Sequence, residues 1–435
     1  MILGPATILG GGAESQVLPN SALRIVGAHV AALGPHADVV SAFPEEPVWD
    51  AAHRVIVPGL VNAFVLPHAV LGEGLLGYAD VGAPARPFED GLDADGLQVC
   101  TLAALLAGLR HGVTTTFLAA APYGVESGGL AAIARAAEEV PVRVCIAGLV
   151  TDRHGAARTK ALIEENAGLV EQAKKGWGDR LRAVFGLGPL AEVSQTTLEA
   201  VAAKADAMGA GVLVRTSGDE HDARSARERE GTTPIGRLVR AGLLNERTIV
   251  TQARALPEPD WELLRASGTP WVSTPREDAE EHGMSLDYVE LGTRGLIPAF
   301  GTGSLTPHLF GEAEMAYRGA RLRGRPAREA KRVAAAALFD RGPAIAQKHF
   351  VPGLGSLLPG SPADLAVLDV YPATPLGPEN WTDHLLQSLA SARVHSVMVA
   401  GELLLQEGRP TAVDEREVQK RARAVVHRLW PQVAP

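Results

Sequence analysis

Hydrophobic and polar positions follow different patterns in successive parts of the chain. Up to about residue 57, short apolar runs are broken by turn signals such as the three glycines at 10–12, which is typical of β-strands. Between there and about residue 350, short apolar runs alternate with longer stretches whose apolar residues recur at helical spacing. Strand-like runs then return, and residues 416–430 have the pattern of a basic amphipathic helix. The pattern therefore predicts a middle part with its own architecture between two β-rich segments.

The middle part contains eight predicted strands, separated by helical stretches, at 56–61, 113–118, 142–146, 182–186, 211–215, 248–251, 271–273 and 297–300. Alternating strands and helices favour a parallel sheet, and eight strands is the number that closes a (β/α)8 barrel of the TIM type. A doubly wound open sheet is the alternative. We predict an α/β fold in which a barrel over 58–352 is inserted into a small β-sandwich domain formed by 1–57 and 353–412, with a C-terminal helix over 413–435.

Composition and charge exclude several classes of protein. The chain is 46% hydrophobic and 21% charged, which is typical of a globular protein. Its net charge of -9 supplies no basic excess for a nucleic acid or an anionic membrane surface. We see no signal peptide and no apolar run approaching the roughly 20 residues of a membrane-spanning helix. The two cysteines, Cys100 and Cys145, lack the spacing of a metal or disulfide motif, so we expect a cytoplasmic protein.

Several segments resemble the amidohydrolase superfamily. VIVPGLVNAFV at 55–65 is similar to its strand-one signature, PGLVNAHTH, and the segments at 355–369 and 394–408 resemble its C-terminal β-segments. TDRHG with EEN, and later TPLGPEN with HSVMVAG, resemble the putative aminohydrolase/chlorohydrolase branch found beside selenium-dependent enzymes. The resemblance covers nearly the whole chain. It implies a barrel hydrolase for C–N bonds in which histidines and an aspartate hold a metal that activates water.

The metal-ligand positions of that superfamily carry other residues in this chain, namely Phe64, Leu66, Arg215, Gln252 and Gly303. The HIHxAE motif becomes LVRTSG, so Gly218 also replaces the acid–base glutamate. Neither Phe nor Leu has a lone pair for a metal, and the permanent charge of Arg215 would repel a dication. The resemblance therefore implies a degenerate site with no metal, no other cofactor and no catalytic residue.

Arg215 suggests a different use of the barrel mouth. A guanidinium there could bind a small anionic ligand through paired hydrogen bonds, with further hydrogen bonds from its neighbours Gln252, Thr251 and Thr216. The alternative is that Arg215 pairs internally with an acidic neighbour, Asp219 or Glu220.

Three functional hypotheses follow. The leading one is a catalytically silent scaffold, regulatory subunit or small-molecule binder that forms a homodimer or pairs with an active relative. The second is a hydrolase for non-peptide C–N bonds, similar to aminohydrolases and deaminases, with a rebuilt metal-independent site. The third is a hydrolase with a relocated metal, whose candidate ligands in the loops after the strands are His68, His221 and His308. We interpret the acidic run at 277–282 as a solvated surface.

Overall fold

Two sheets organise the fold in a computed structural model of the chain, which describes residues 1–12, 15–72, 85–176, 178–283, 285–370 and 372–433. The strands are β1 (Ile2–Leu9), β2 (Val17–Val26), β3 (His29–Pro35), β4 (Val48–Trp49), β5 (Arg54–Pro58), β6 (Leu60–Val65), β7 (Val113–Ala120), β8 (Arg143–Val150), β9 (Leu181–Leu187), β10 (Val212–Thr216), β11 (Thr248–Gln252), β12 (Trp271–Ser273), β13 (Ala299–Phe300), β14 (Leu365–Asp369), β15 (Arg393–Val399), β16 (Glu402–Gln406) and β17 (Arg409–Pro410).

Helices connect and cover these sheets. They are α1 (His36–Ala42), α2 (Ala85–Gly91), α3 (Ala94–Arg110), α4 (Gly129–Glu139), α5 (Ala156–Gly176), α6 (Gln195–Ala207), α7 (Glu220–Glu230), α8 (Pro234–Arg240), α9 (Glu258–Ser267), α10 (Pro275–His282), α11 (Tyr288–Thr293), α12 (Leu309–Leu322), α13 (Ala327–Ala336), α14 (Gly342–His349), α15 (Trp381–His384) and α16 (Glu415–Val433). None of the described helices is both long and apolar enough to cross a membrane.

Strands β6 to β13 form the predicted barrel. They pair in sequence order, and each neighbouring pair is parallel. Hydrogen bonds from the Leu66 amide to the Gly303 carbonyl (2.8 Å) and from the Thr302 amide to the Phe64 carbonyl (2.9 Å) join the last strand to the first. The predicted fold class is therefore confirmed, and the open-sheet alternative is wrong.

The other sheet unites the two ends of the chain in the order β17-β16-β15-β14-β5-β1-β2-β3, with β4 beside β1. The predicted first barrel strand, 56–61, is in fact parts of β5 and β6, which belong to different sheets. Gly59 lies between the two strands. Only glycine fits at this position, because a Cβ would lie 2.1 Å from Thr114 Oγ1. A continuous apolar run hides this crossing, since nearly every residue of both strands is buried.

The barrel interior is filled with apolar side chains, including Phe64, Leu66, Phe117, Leu149 and Ile249. A larger apolar layer lies between the strands and the surrounding helices. Because the interior is packed, chemistry has to use the side chains at the carboxyl ends of the strands, where (β/α)8 proteins place their sites.

The predicted C-terminal helix is present as α16, and residues 434–435 of the predicted range lie outside the described residues. It packs against α2 and α3. Arg421 pairs with Asp95 at 2.7 Å, and Arg428 pairs with Asp93 at 2.8 Å. The basic face of α16 therefore binds acidic residues of its own chain.

Candidate functional site at the barrel mouth

Arg215 and Gln252 lie side by side at the carboxyl ends of β10 and β11. Arg215 Nε donates to Gln252 Oε1 at 2.9 Å, and Gln252 Nε2 donates to Glu277 Oε2 at 3.3 Å. Glu277 is buried at the start of α10, and its other oxygen accepts hydrogen bonds from the amide (2.8 Å) and hydroxyl (2.6 Å) of Ser304. This chain of contacts crosses four strand ends, so the mouth contains one connected polar network.

Among the described residues, Arg215 forms no ion pair with Asp219 or Glu220, the two acidic neighbours considered for internal pairing. The Asp219 carboxylate accepts the His221 amide at 2.7 Å and caps α7 instead. Gln252 accepts a hydrogen bond from Arg215, and this bond uses only the Nε of the guanidinium. The two terminal guanidinium nitrogens consequently remain available for a ligand, among the groups that the structure describes.

The two threonines predicted beside Arg215 are both buried. Thr251 Oγ1 donates to the Val214 carbonyl at 3.2 Å. Thr216 follows Val212 and Val214 on the strand face that packs toward the helices, and its hydroxyl lies 3.3 Å from Ser217 Oγ. Of the four predicted ligand-binding residues, Arg215 and Gln252 are therefore joined by a hydrogen bond. The hydroxyls of Thr251 and Thr216 contact the Val214 carbonyl and Ser217 Oγ instead.

The backbone at these strand ends is strained. Ser217, Gln252 and Ala253 have φ angles of 53°, 70° and 54°, a region that side chains with a Cβ rarely adopt. The Ser217 amide is held by Asp222 Oδ2 at 2.5 Å, and the Ala253 amide donates to the Thr216 carbonyl at 3.0 Å. Such positions cost on the order of 1–3 kcal/mol each and cluster at functional sites.

His68 forms a buried dyad with Glu89. It lies in a 3-10 turn directly after β6, is 4% exposed, and places Nε2 3.1 Å from Glu89 Oε1. Burial acts to raise the pKa of Glu89, but the His68 hydrogen bond and the charges of His68, Arg215 and Arg153 lower it to about 2. Glu89 is thus ionised, so the imidazole donates from Nε2. Among the described residues Nδ1 has no hydrogen-bond partner.

Arg153 connects the dyad to a neighbouring cleft. Its Nη2 lies 3.4 Å from Glu89 Oε2 and 2.8 Å from Asp90 Oδ1, and its guanidinium lies 4.8 Å from the centre of the Tyr123 ring. The cleft has a volume of about 410 Å³ and is lined by both signs of charge, including Arg153, Asp152 and Arg229. The site therefore continues from the mouth toward β8, β9 and α7.

The residues at the family's metal positions do not fit a divalent cation. Phe64 and Leu66 are buried among the apolar residues of the barrel interior. A side chain at Gly303 would meet Glu277, since a Cβ there would lie 2.2 Å from Glu277 Oε2. Together with the cationic Arg215, these residues offer a metal no convergent donors. Within the described residues, no group of three His, Cys, Asp or Glu side chains could hold a metal ion.

The three histidines proposed for a relocated metal do not come together. His68 pairs with Glu89. His221 is exposed on α7, with Nδ1 3.2 Å from Arg224 Nη2, whereas His308 stacks 4.7 Å from His111 and places Nε2 3.2 Å from the Ala390 carbonyl. Their different neighbours rule out the relocated site that these three residues would form.

The acidic run at 277–282 also differs from its interpretation as a solvated surface. It is part of α10, in which Glu277 and Asp278 are 2% and 3% exposed. Burial and the neighbouring Glu277 carboxylate raise the pKa of Asp278 well above its ordinary value. Nothing in the sequence indicates this burial, and nothing in it pairs Glu277 with Gln252, or Glu89 with His68.

The chain is similar to known proteins over nearly its whole length. The model of the family described as "Amidohydrolase family" matches residues 55–404. A 5-methylthioadenosine/S-adenosylhomocysteine deaminase of Desulfitobacterium hafniense is 25% identical over 94% of this chain and 95% of its own. A 5'-deoxyadenosine deaminase of Methanothermobacter thermautotrophicus is 22% identical over 88% and 89%. A mutant of the atrazine chlorohydrolase TrzN from Arthrobacter aurescens, complexed with zinc and atraton, is 18% identical, with a TM-score of 0.82 over 98% and 99%.

The hypothesis of a catalytically silent scaffold, regulatory subunit or small-molecule binder is contradicted by these relatives. Proteins that match nearly the whole chain are named as deaminases. They agree better with the second hypothesis, a hydrolase for non-peptide C–N bonds. The error has a physical cause: loss of the family's ligands removes one way to activate water, but it does not exclude another at the same mouth.

Proposed function

Because the chain belongs to the amidohydrolase family, we propose that it is a hydrolase acting on non-peptide C–N bonds, with the chemistry of an aminohydrolase. The substrate we propose carries an amine on an amidine-like ring carbon, as an aminopurine does. The match to a deaminase over 94% of this chain is the observation that carries this proposal. The second group of observations concerns the mouth, where the His68–Glu89 dyad supplies the proposed base and the Arg215–Gln252 network supplies a cation.

In this proposal the family's metal site is lost and the dyad takes over the activation of water. Glu89 orients the imidazole of His68 by accepting a hydrogen bond from Nε2, so Nδ1, which is buried and has no hydrogen-bond partner among the described residues, is the ring nitrogen that would accept a proton from water. A carboxylate in this position also stabilises the imidazolium that forms when the base accepts a proton. His68 is therefore the proposed general base, and Glu89 is a positioning residue.

The proposed reaction adds water across the C=N bond of the ring. The water oxygen bonds to the carbon as one of its protons passes to His68 Nδ1. The electron pair of the C=N bond moves to the ring nitrogen, which takes up a proton from solvent. The imidazolium then protonates the exocyclic amine, the C–N bond breaks, and ammonia leaves with the bonding pair. The remaining hydroxyl returns a proton to solvent as the carbonyl forms, so the overall change is amine plus water to carbonyl plus ammonia.

Arg215 has a separate role in binding. Its terminal nitrogens have no hydrogen-bond partner among the described residues, and in this proposal they pair with an anionic or carbonyl group of the substrate. Gln252 holds the guanidinium by its Nε, and Glu277 holds Gln252. This small anionic or polar group is the ligand we propose for the predicted Arg215 site.

The test is ammonia release from a panel of aminopurine nucleosides by protein treated with a chelator. We expect activity to survive the chelator. His68→Gln should lower kcat by about 10²–10⁴-fold, the usual contribution of a general base, with KM nearly unchanged. Arg215→Gln should instead raise KM about tenfold, as expected when one charged contact is lost. His427→Gln, on the exposed face of α16, is the matched control and should behave like the wild type.

Two results would overturn parts of this proposal. Activity that disappears with the chelator and returns with added zinc would show that metal chemistry persists. Full activity of His68→Gln with retained fold would exclude the dyad as the base, whatever the substrate.

A further inference from the structure

A second polar cavity lies at the opposite end of the barrel from the mouth. It has a volume of about 530 Å³ and is lined by the start of β9, the end of α5, the end of α14 and the turn before β10. Four basic residues line it and, among its described lining residues, there is no carboxylate. The basic residues are Lys174, Lys175, Arg182 and Lys348. In a chain with a net charge of -9, such a group of cations is unexpected.

The position of Arg182 is the strongest observation. It alternates on β9 with Val184, which packs in the barrel interior, and it is paired in register with the buried Cys145. The guanidinium therefore lies on the inner side of the barrel at the amino-terminal ends of its strands. An arginine here has to be held by hydrogen bonds, because an unpaired charge is costly to bury.

Arg182 is held by carbonyl groups rather than by an acid. Nε donates to the His349 carbonyl at 3.0 Å, and Nη1 donates to the carbonyls of Gly178 (2.8 Å) and Leu181 (2.9 Å). These contacts fix the plane of the guanidinium and keep its full charge, since carbonyls are neutral. Among the described residues they leave Nη2 without a hydrogen bond, so one edge of an oriented cation remains open.

The positions of the lysines do not require a ligand. Lys174 and Lys348 lie in the last turns of α5 and α14, where cations are favoured by the helix dipole. Lys348 lies 3.6 Å from Glu246, but these side chains are 42% and 77% exposed, so the pair is weak and open to exchange. Arg182 is on a strand, so no helix dipole accounts for it.

We propose that this cavity is a binding site for a phosphate group, either as the free ion or on a small metabolite. A phosphate offers several strong acceptor oxygens and up to two negative charges, which match an oriented guanidinium and the ammonium groups of the lysines. The cavity is at the far end of the packed barrel from the mouth, so this ligand is distinct from the proposed substrate. The inference does not depend on the proposed deaminase chemistry.

The test is calorimetric titration of the protein with inorganic phosphate, pyrophosphate and glycerol monophosphate, which carries no aminopurine, at constant ionic strength, with sodium chloride as the blank. We expect saturable one-site binding that weakens as salt is raised. Arg182→Gln and Lys348→Gln should each raise the dissociation constant about tenfold. Lys420→Gln, whose side chain is 78% exposed on α16, is the control and should leave binding unchanged.

The remaining outcomes decide the source and the place of binding. Tighter binding of the monophosphate than of inorganic phosphate would identify a phosphate ester, and the reverse would identify the free ion. Absence of saturable binding would overturn the proposal, as would binding that Arg215→Gln abolishes while both cavity variants retain it. Circular dichroism checks the fold of each variant, and Lys348→Gln decides the question if Arg182→Gln does not fold.

Discussion

Glu312 lies in the first turn of α12 with none of its side chain exposed. Its Oε2 accepts the Arg276 amide at 2.8 Å, while Oε1 lies 3.6 Å from Arg276 Nη1, beyond hydrogen-bond distance. Burial raises the pKa of Glu312 from 4.5 to about 8, which the Arg276 amide and charge only partly offset. The folded protein therefore holds a proton at neutral pH that the unfolded chain releases.

This difference makes stability depend on pH in a definite direction. Between pH 4.5 and about 8 the folded state binds the proton and the unfolded state does not, so the free energy of unfolding falls as pH rises. Glu312→Gln removes the ionisation and keeps an acceptor for the Arg276 amide. We expect this variant to gain stability over the wild type, by an amount on the order of a few kcal/mol, as pH rises from about 5 to about 9.

Denaturant unfolding of both proteins at about pH 5, 7 and 9 measures this effect. Glu314→Gln changes a surface carboxylate of the same helix, which pairs with Arg318, and should show no such pH-dependent gain. Parallel pH profiles for Glu312→Gln and the wild type would contradict the assignment of a buried neutral acid.

At the scale of elements, α16 joins the end of the chain to the helices beside the barrel mouth. Val418, Val425 and Leu429 are buried along one side of the helix, as expected for residues at helical spacing. The helix packs on α2, which carries Glu89, and on the 3-10 turn that carries His68. It therefore supports the two segments that form the dyad.

Leu429→Ala should weaken the packing of α16 against α2 and the 3-10 turn. The side chain is 2% exposed, and removing such a group typically costs about 2–5 kcal/mol through lost burial and the cavity left behind. We expect lower stability in chemical denaturation and faster amide hydrogen exchange in α16 and α2. Leu322→Ala, at a leucine that is 90% exposed, is the matched control and should change stability by less than about 0.5 kcal/mol. Equal effects of the two substitutions would show that α16 is not docked as described.

At the scale of the whole molecule, a buried ion pair joins the barrel to the other sheet. Arg143 begins β8, and its Nε and Nη2 donate to the two carboxylate oxygens of Asp364 at 2.8 and 3.1 Å. Asp364 directly precedes β14 and also accepts the Ala400 amide at 2.8 Å. Both side chains are at most 2% exposed. The two sheets are thus connected by a pair of charges that water does not reach.

Breaking this pair from one side should cost more than removing it whole. Arg143→Met should destabilise the protein by about 3–5 kcal/mol, because it leaves the buried Asp364 carboxylate without its cationic partner. Asp364→Leu should cost less, because Arg143 Nη1 keeps its 2.8 Å ion pair with the half-exposed Asp179. The double variant should lose clearly less than the sum of the two. Arg265→Met, at a surface pair that is 52% exposed on both sides, should cost less than about 1 kcal/mol. Denaturant unfolding of the four variants measures the coupling, and simple additivity would contradict it.

The sequence by itself determined the architecture of this protein. Eight alternating strands and helices predict the barrel, and the β-rich ends predict a sheet built from both termini. These predictions succeed because the spacing of apolar residues within a segment reflects which of its faces is buried. The sequence motifs also identified the family, and they showed that Phe64 and Leu66 stand at two of its metal-ligand positions. They also placed Arg215 beside Gln252, since neighbouring parallel strands end together.

Only the tertiary structure decided what the mouth contains. His68 meets Glu89 from a separate helix, and Glu277 occupies the space beside Gly303, so neither contact follows from spacing along a single element. The boundary at Gly59 and the burial of α10 escaped prediction for the same reason. Whether an apolar run belongs to one sheet or two, and whether an acidic helix faces water or the site, depends on what packs against it. Those partners come from distant parts of the chain, and folding alone brings them together.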